Sequence, residues 1–297
     1  MVAGAAAPPL RRRMRLSSAA TLTSAAIAPA ALTVAMPRSR ARDLGVCALQ
    51  MLAYLEAYKI PYDDPEAAAA RVHVRYPIAA DRALGFGVVP SARLQRAFSR
   101  RGNVNRVERA LVWCHWAWFI VPHGSVAYVA LREPERLPSA AARMYAVFDL
   151  GAVAYWAVPT APPWWAASGG HLSGEEGPIV RRMMIEYGEQ FWGERWSTLY
   201  GALGGNPLAA MPSLHFATSL MAARLLSEIG PLSGALGWVY ASTLGLALVY
   251  LGEHYAIDLV AGAALEEAVS AAAPRAAPAA RLISRGLAAL SARATIG

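Results

Sequence analysis

Three side chains in this sequence have the types and spacing to work on a phosphate ester: His215 in Pro212-Ser213-Leu214-His215, and His254 with Asp258 in Gly252-Glu253-His254-Tyr255-Ala256-Ile257-Asp258. His254 and Asp258 stand four apart, which puts both on one face, one turn from each other, if the helix has begun by His254. An aspartate so placed accepts the Nδ1 proton of the imidazole and fixes its tautomer. It also favours the positive charge that grows when Nε2 attacks an electrophile. His254 then reads as a nucleophile toward phosphorus. His215 reads as the group that protonates the departing oxygen and later takes a proton from the incoming water or alcohol. Ser213, in a proline-initiated turn, offers a hydroxyl to a phosphoryl oxygen, as do backbone N–H groups at a helix start. Each half alone is weak, since His-x-x-x-Asp recurs by chance and a lone histidine is most often structural. Asp258 also falls just inside an apolar segment, where an acid needs a partner.

The elements between and around these residues make the pairing plausible. Residues 231–251 carry no charge and reach the roughly 20 apolar residues that cross a bilayer. With 208–226 they form a hairpin about Ser227-Glu228-Ile229-Gly230, returning both histidines to one face. Further apolar runs lie at 43–60, 110–131, 144–158 and 256–273, the last weakened by Glu266 and Glu267. The chain is 56% hydrophobic and 16% charged, with a mean hydropathy of +0.31. Soluble domains carry about 25% charge. The predicted fold is therefore an all-α, polytopic transmembrane bundle of about six spans.

Residues 1–42 are read as a flexible basic tail, 43–273 as the transmembrane catalytic domain and 274–297 as a second tail rich in Ala, Pro and Arg. Arg11-Arg12-Arg13-Met14-Arg15 ahead of an uncharged stretch has the outline of a signal peptide, but Pro29 interrupts it. The net charge of +8 comes from arginine, Lys59 being the only lysine. Cys47 and Cys114 lie in apolar runs and read as packing residues. With six spans both termini share a face with Arg132, Arg136 and Arg143, and the positive-inside rule makes that face cytoplasmic. The motifs then face outward, at a cell membrane. The nine arginines of the 61–109 loop oppose this unless its two amphipathic stretches, 65–84 and 91–107, lie among lipid headgroups.

Pro212-Ser213-Leu214-His215 and His254-Tyr255-x-x-Asp258 resemble the second and third motifs of the type 2 phosphatidic acid phosphatase superfamily. The form Gly-Glu-His-Tyr-Ala-Ile-Asp is most similar to the branch containing inositol phosphorylceramide synthase. Pro159-Thr160-Ala161-Pro162-Pro163-Trp164-Trp165 resembles that branch's Pro-x-x-Pro-Pro segment at the outer end of a span. Asp81-Arg82-Ala83-Leu84-Gly85 with Leu94-Gln95 resembles its interfacial helix. The resemblance covers about residues 45–270 and implies a phosphohistidine at His254, oriented by Asp258 and served by His215. It implies no cofactor and no metal. The implied partners are the membrane, a lipid phosphate and an alcohol acceptor such as inositol; no nucleic acid is expected.

The sequence departs from that pattern in its cations. The first motif, Lys-x6-Arg-Pro, is absent, and Leu248 occupies the position of the arginine six residues before the nucleophile. The expected phosphate-binding replacements are Arg181, Arg182 and Arg195 in the long loop 161–207, followed by Arg106 and Arg109. His115 and His123 read as packing residues. Trp164, Trp165, Trp192 and Trp196 read as interfacial anchors, and Gly205 and Asn206 as shaping the turn before motif two. Several readings stay open: hydrolysis or transfer, a conventional phosphatase acting on phosphatidic acid or a polyprenyl pyrophosphate, or an inactive transport or scaffold protein of the same fold. A metal-dependent hydrolase is disfavoured, because no further acids or histidines stand at ligand spacing.

Overall fold

The computed structural model describes residues 11 and 14–294, apart from 101–103, 175–176 and 204. Helix α1 (Ser18–Ala35) starts at Ser17, whose hydroxyl accepts from the Ala20 N–H. Helix α2 (Arg40–Lys59) is capped in the same way by Ser39, and Asp43 in its first turn and Lys59 in its last suit the helix dipole. Three short helices follow: α3 (Pro65–Arg71), α4 (Arg75–Leu84) and α5 (Pro90–Phe98). Helices α6 (Arg106–Ala117), α7 (Val121–Arg132) and α8 (Leu137–Ala157) lead to α9 (Pro163–Ser168). The strands β1 (Ser173–Gly174) and β2 (Gly177–Pro178) pair antiparallel. The chain closes with α10 (Met183–Trp192), α11 (Arg195–Leu203), α12 (Leu214–Ile229), α13 (Pro231–Tyr250) and α14 (Ala256–Ala294).

Helix α12 is central, packing on α7, α8, α13 and α14. Phe148, Met144, Leu214, Ala217 and Met221 form the heart of its core. The turn at Ile229 to Pro231 joins α12 to α13 as a tight antiparallel pair; a Cβ on Gly237 would stand 2.8 Å from the Ala223 Cα. The segment after α8 is threaded by backbone hydrogen bonds between residue 73 and the approach to motif two. His73 N donates to Pro159 O at 2.9 Å, and Thr160 N donates to Leu208 O at 3.0 Å.

The structure differs from the sequence expectations in four places. The expected tail 1–42 contains α1, which packs on α2 and α14 and buries Ala25, Ala28 and Leu32. Small side chains permit that close approach: a Cβ on Gly45 would meet Leu32 at 3.0 Å. The apolar run 110–131 is two helices broken at Trp118 to Ile120. Pro122 has no N–H to give, and its ring would crowd the carbonyl of Trp118. At the far end α14 runs through Pro274 and Pro278 to Ala294, across the expected boundary at 273.

The fourth difference concerns membrane spans. The chain is all-helical apart from the β1–β2 pair, yet among the described residues only α1 and α13 combine length with enough hydropathy to cross a bilayer unaided. Helix α12 has only 16 residues, and α2 and α14 carry charges inside their windows. Two of those charges are satisfied within the bundle. Arg224 on α12 binds Glu266 through Nε and Nη2 at 2.8 and 3.0 Å and reaches Glu267 at 2.7 Å.

Candidate active site

Motif two opens α12. Ser213 is fully buried, and its Oγ accepts from the Phe216 N–H at 3.3 Å as the helix N-cap. The cap uses Oγ as an acceptor, which leaves the hydroxyl proton for the phosphoryl oxygen that the sequence reading assigns to it. Motif three is the turn between α13 and α14. The carbonyl of Leu248 accepts from Glu253 N and His254 N at 3.0 and 3.1 Å. Gly252 holds φ +82°, and a Cβ there would stand 2.4 Å from the Arg181 carbonyl oxygen, so only glycine fits this turn.

The two motifs bring their histidines together. His254 Nε2 lies 3.2 Å from His215 Nδ1, and His254 Nδ1 lies 3.2 Å from Asp258 Oδ2. That oxygen also accepts from the Tyr255 N–H at 2.9 Å. One tautomer set satisfies the row: Asp258 accepts from His254 Nδ1–H, leaving Nε2 with a lone pair that accepts from His215 Nδ1–H. His254 and Asp258 are buried, while His215 is half-buried beneath the Trp118 ring at 4.2 Å between centroids. Such an arrangement can attack an electrophile with Nε2 of His254 and protonate its leaving group from His215.

Surface helices α4 and α5 hold this row in place, a role the sequence did not disclose. Asp81 Oδ1 accepts from Ile257 N at 3.0 Å, so an acid 176 residues upstream caps the helix that carries Asp258. Burial pushes Asp81 up to about 6; its backbone hydrogen bond opposes this and the charge of Asp258 adds to it. Gln95 accepts from Arg181 N at 2.7 Å and donates to the carbonyls of Arg181 and Tyr250 at 2.9 and 2.8 Å. Tyr155 donates to the Pro212 carbonyl at 2.8 Å. In the sequence, Asp81 and Gln95 stand out only as members of segments that resemble the family's interfacial helix, without a role, and Tyr155 does not stand out.

The expected cations separate sharply. Arg182 lies beside the site, its Nε and Nη2 on Glu253 at 3.0 and 3.1 Å and its guanidinium 3.8 Å from the Trp164 ring centroid. Burial alone would raise the Glu253 carboxyl, but the charge and hydrogen bonds of Arg182 outweigh it and hold it below the usual carboxylate range. His115 and His254 contribute in the same direction. Arg181 turns away to Glu186, to Ser99 at 2.6 Å and to the Arg100 carbonyl at 2.8 Å. Arg195 is exposed and not brought to the histidines, and Arg106 is exposed as well. Arg109 donates to the Val104 carbonyl at 2.9 Å.

Of the remaining residues singled out by sequence, His123 stacks flat on Phe148 at 5.6 Å, as packing predicts. Asn206 Oδ1 accepts from Leu208 N at 2.9 Å and so shapes the approach to motif two. Trp196 is buried against Trp116 and Gly188 rather than standing free at an interface. His115 is buried with its ring 5.0 Å from that of His215, and among the described residues neither ring nitrogen has a hydrogen-bond partner.

A fold of packed helices presenting a His–His–Asp row at a helix-hairpin mouth agrees with the one family comparison that matches. The model of the PAP2 superfamily covers residues 77–272, which includes both motifs and the surface helices α5 and most of α4. The chain belongs to the PAP2 superfamily. No curated protein and no solved structure matches it.

Proposed function

We propose that the protein is an integral membrane lipid phosphatase or phosphotransferase working through a phosphohistidine at His254. The observation that carries this reading is the row Asp258–His254–His215 with 3.2 Å at each step. A phosphoryl group entering between the two imidazoles displaces their mutual hydrogen bond. His254 Nε2 then forms a bond to phosphorus as the lipid oxygen leaves with the proton of His215. In the second half, His215 removes a proton from water or an alcohol, whose oxygen takes the phosphorus and frees His254. Asp258 keeps its proton contact with Nδ1 throughout and balances the charge on the ring. Ser213 backs the site from the helix start, and Arg182 is the cation best placed to meet phosphate. Arg181 and Arg195 are secondary candidates.

Several observations favour a membrane setting. On α13, Leu232, Leu236, Val239 and Leu246 are all at least half exposed, as are Leu150 and Val153 on α8. Soluble monomers rarely expose apolar stripes of this extent. Twenty residues of α13 reach about 30 Å, the thickness of a bilayer core. The six-span reading assigns α2, the broken pair α6–α7, α8, α12, α13 and α14 to the membrane, with the motifs on the extracytoplasmic side. The form of motif three favours the inositol phosphorylceramide synthase branch, in which a phosphoinositol-type head group passes to an alcohol; hydrolysis of phosphatidic acid or a polyprenyl pyrophosphate is the alternative.

Purified protein offered phosphatidic acid, a polyprenyl pyrophosphate, and phosphatidylinositol with an alcohol acceptor, with EDTA and vanadate arms in parallel, tests the proposal. The expected result is product formation that survives EDTA, is blocked by vanadate and disappears in His254→Ala. Wild-type protein giving no His254-dependent product from any of these lipids overturns it.

A further inference from the structure

Helix α6 points a histidine at the reaction row that neither motif contains. His115 is 4% exposed, its ring centroid is 5.0 Å from that of His215, and among the described residues both its nitrogens lack partners. Buried polar atoms are almost always paired, and leaving one unpaired is costly. A leucine or phenylalanine would pack there without that cost. Meanwhile few cations are placed to meet a phosphoryl group: Leu248, where the family pattern has an arginine, is apolar and fully buried, and Arg181 is turned toward Glu186.

We propose that His115 is a substrate-binding residue, donating a ring N–H to a non-bridging phosphoryl oxygen of the bound phosphate ester while His215 and His254 act on the bridging oxygen and phosphorus. This rests on the phosphoryl-transfer reading above. The unpaired nitrogens are then a binding site awaiting an oxyanion, and the anion satisfies in one step the donors that the fold leaves open.

Orthovanadate is the probe. Full-length protein labelled with ¹⁵N in its imidazoles is titrated with orthovanadate, the His115 signals being those missing from His115→Phe. The expected result is a shift of the His115 signals with the same saturation as those of His254. In the same assay His115→Phe, which keeps a ring against His215, weakens vanadate binding by about tenfold or more. His115→Gln, which keeps an N–H donor, stays within about threefold, as a recovered hydrogen bond predicts. Signals of His115 that stay fixed while those of His254 titrate overturn the proposal, and so does a folded His115→Phe protein that binds vanadate like wild type. Failure of the functional reading registers separately, as absence of His254-dependent turnover of lipid phosphates, and leaves the vanadate titration to decide His115.

Discussion

The backbone N–H of Ser213 donates to the carbonyl oxygen of Asp258 at 2.9 Å, tying the second residue of one motif to the last residue of the other. Helices α12 and α14 can approach this closely because residue 262 is glycine. A Cβ at that position would stand 2.6 Å from the Ser213 carbonyl oxygen. Gly262→Ala is expected to push the helices apart and lower turnover about 10²-fold, the usual result of displacing catalytic groups by about 1 Å. Near-normal kcat in a folded Gly262→Ala protein would show that the backbone tie does not set the spacing of the histidines.

Within the row, the three side chains should fail differently. His254→Ala is expected to abolish any covalent phosphoenzyme trapped with ³²P-labelled substrate. Loss of the proton donor in His215→Ala should slow turnover most for poor leaving groups and least for a nitrophenyl ester, whose oxygen departs without a proton. For Asp258→Asn, which presents the wrong partner to His254 Nδ1, a loss of up to about 10⁴-fold follows from the behaviour of hydrolase triads. Phosphoenzyme persisting in His254→Ala would remove that residue from the nucleophile's role.

Among the arginines, Arg182→Ala is expected to cost about 10²-fold in turnover, the scale for losing a transition-state donor. Arg182→Lys should recover only part, because an ammonium cannot keep a forked contact with Glu253 and also reach phosphate. Arg195→Ala should leave rates near wild type, since its side chain is exposed. Comparing kcat/KM for these variants checks the order, and a larger loss in Arg195→Ala than in Arg182→Ala would reverse the assignment.

Asp81 gives a pH signature. Its carboxyl is raised from 3.8 to about 6 in the folded protein, so the folded state binds more protons than the unfolded chain between those values. Stability linked to this group is therefore greatest at the acid end of the window and is lost as pH rises through about 6. The contribution is on the order of 1–3 kcal/mol. In Asp81→Asn that component should vanish, the amide oxygen still accepting from Ile257. Melting temperatures of both proteins between pH 4.5 and 7 compare the two, and parallel curves would exclude Asp81 as their source.

Topology can be checked on a variant whose native cysteines are replaced. Cysteines at Ser168 and Arg195, both exposed, should react with an impermeant maleimide from outside, whereas one at Ser139 should react only from the cytoplasm. Gly252 is unsuitable as a reporter because its φ of +82° and crowded Cβ position exclude a side chain. Labelling of Ser168 and Ser139 from the same side would dismiss the six-span arrangement.

How much of this was legible beforehand depended on how local each signal was. The His254–Asp258 pair and the hairpin of α12 and α13 are short-range features, but the helix starts only at Ala256, so His254 meets Asp258 from the turn before α14 and not from a shared helical face. The charged pair Arg224–Glu266 is a long-range match that apolar counting cannot see, so Glu266 looked anomalous in a span. Helix α1 has no charge pattern and contains Pro29; it is held by burial of Ala25, Ala28 and Leu32 against other helices, which composition does not reveal. His115 looked like packing because its neighbour, His215, is a hundred residues away in the chain. Its lack of partners is visible only once the surroundings are known.

The wiring of Asp81 and Gln95 also has a temporal consequence. His215 and His254 are 39 residues apart on one hairpin, whereas the bonds from Asp81 to Ile257 and from Gln95 to Tyr250 span 176 and 155 residues. Contacts close in sequence form early, and those that close long loops wait until much of the chain is ordered. During biogenesis the hairpin can therefore assemble with its histidines adjacent but unaligned, and the row comes into register only when the upstream helices dock. Competence is a late event, reached after the last long loop has closed.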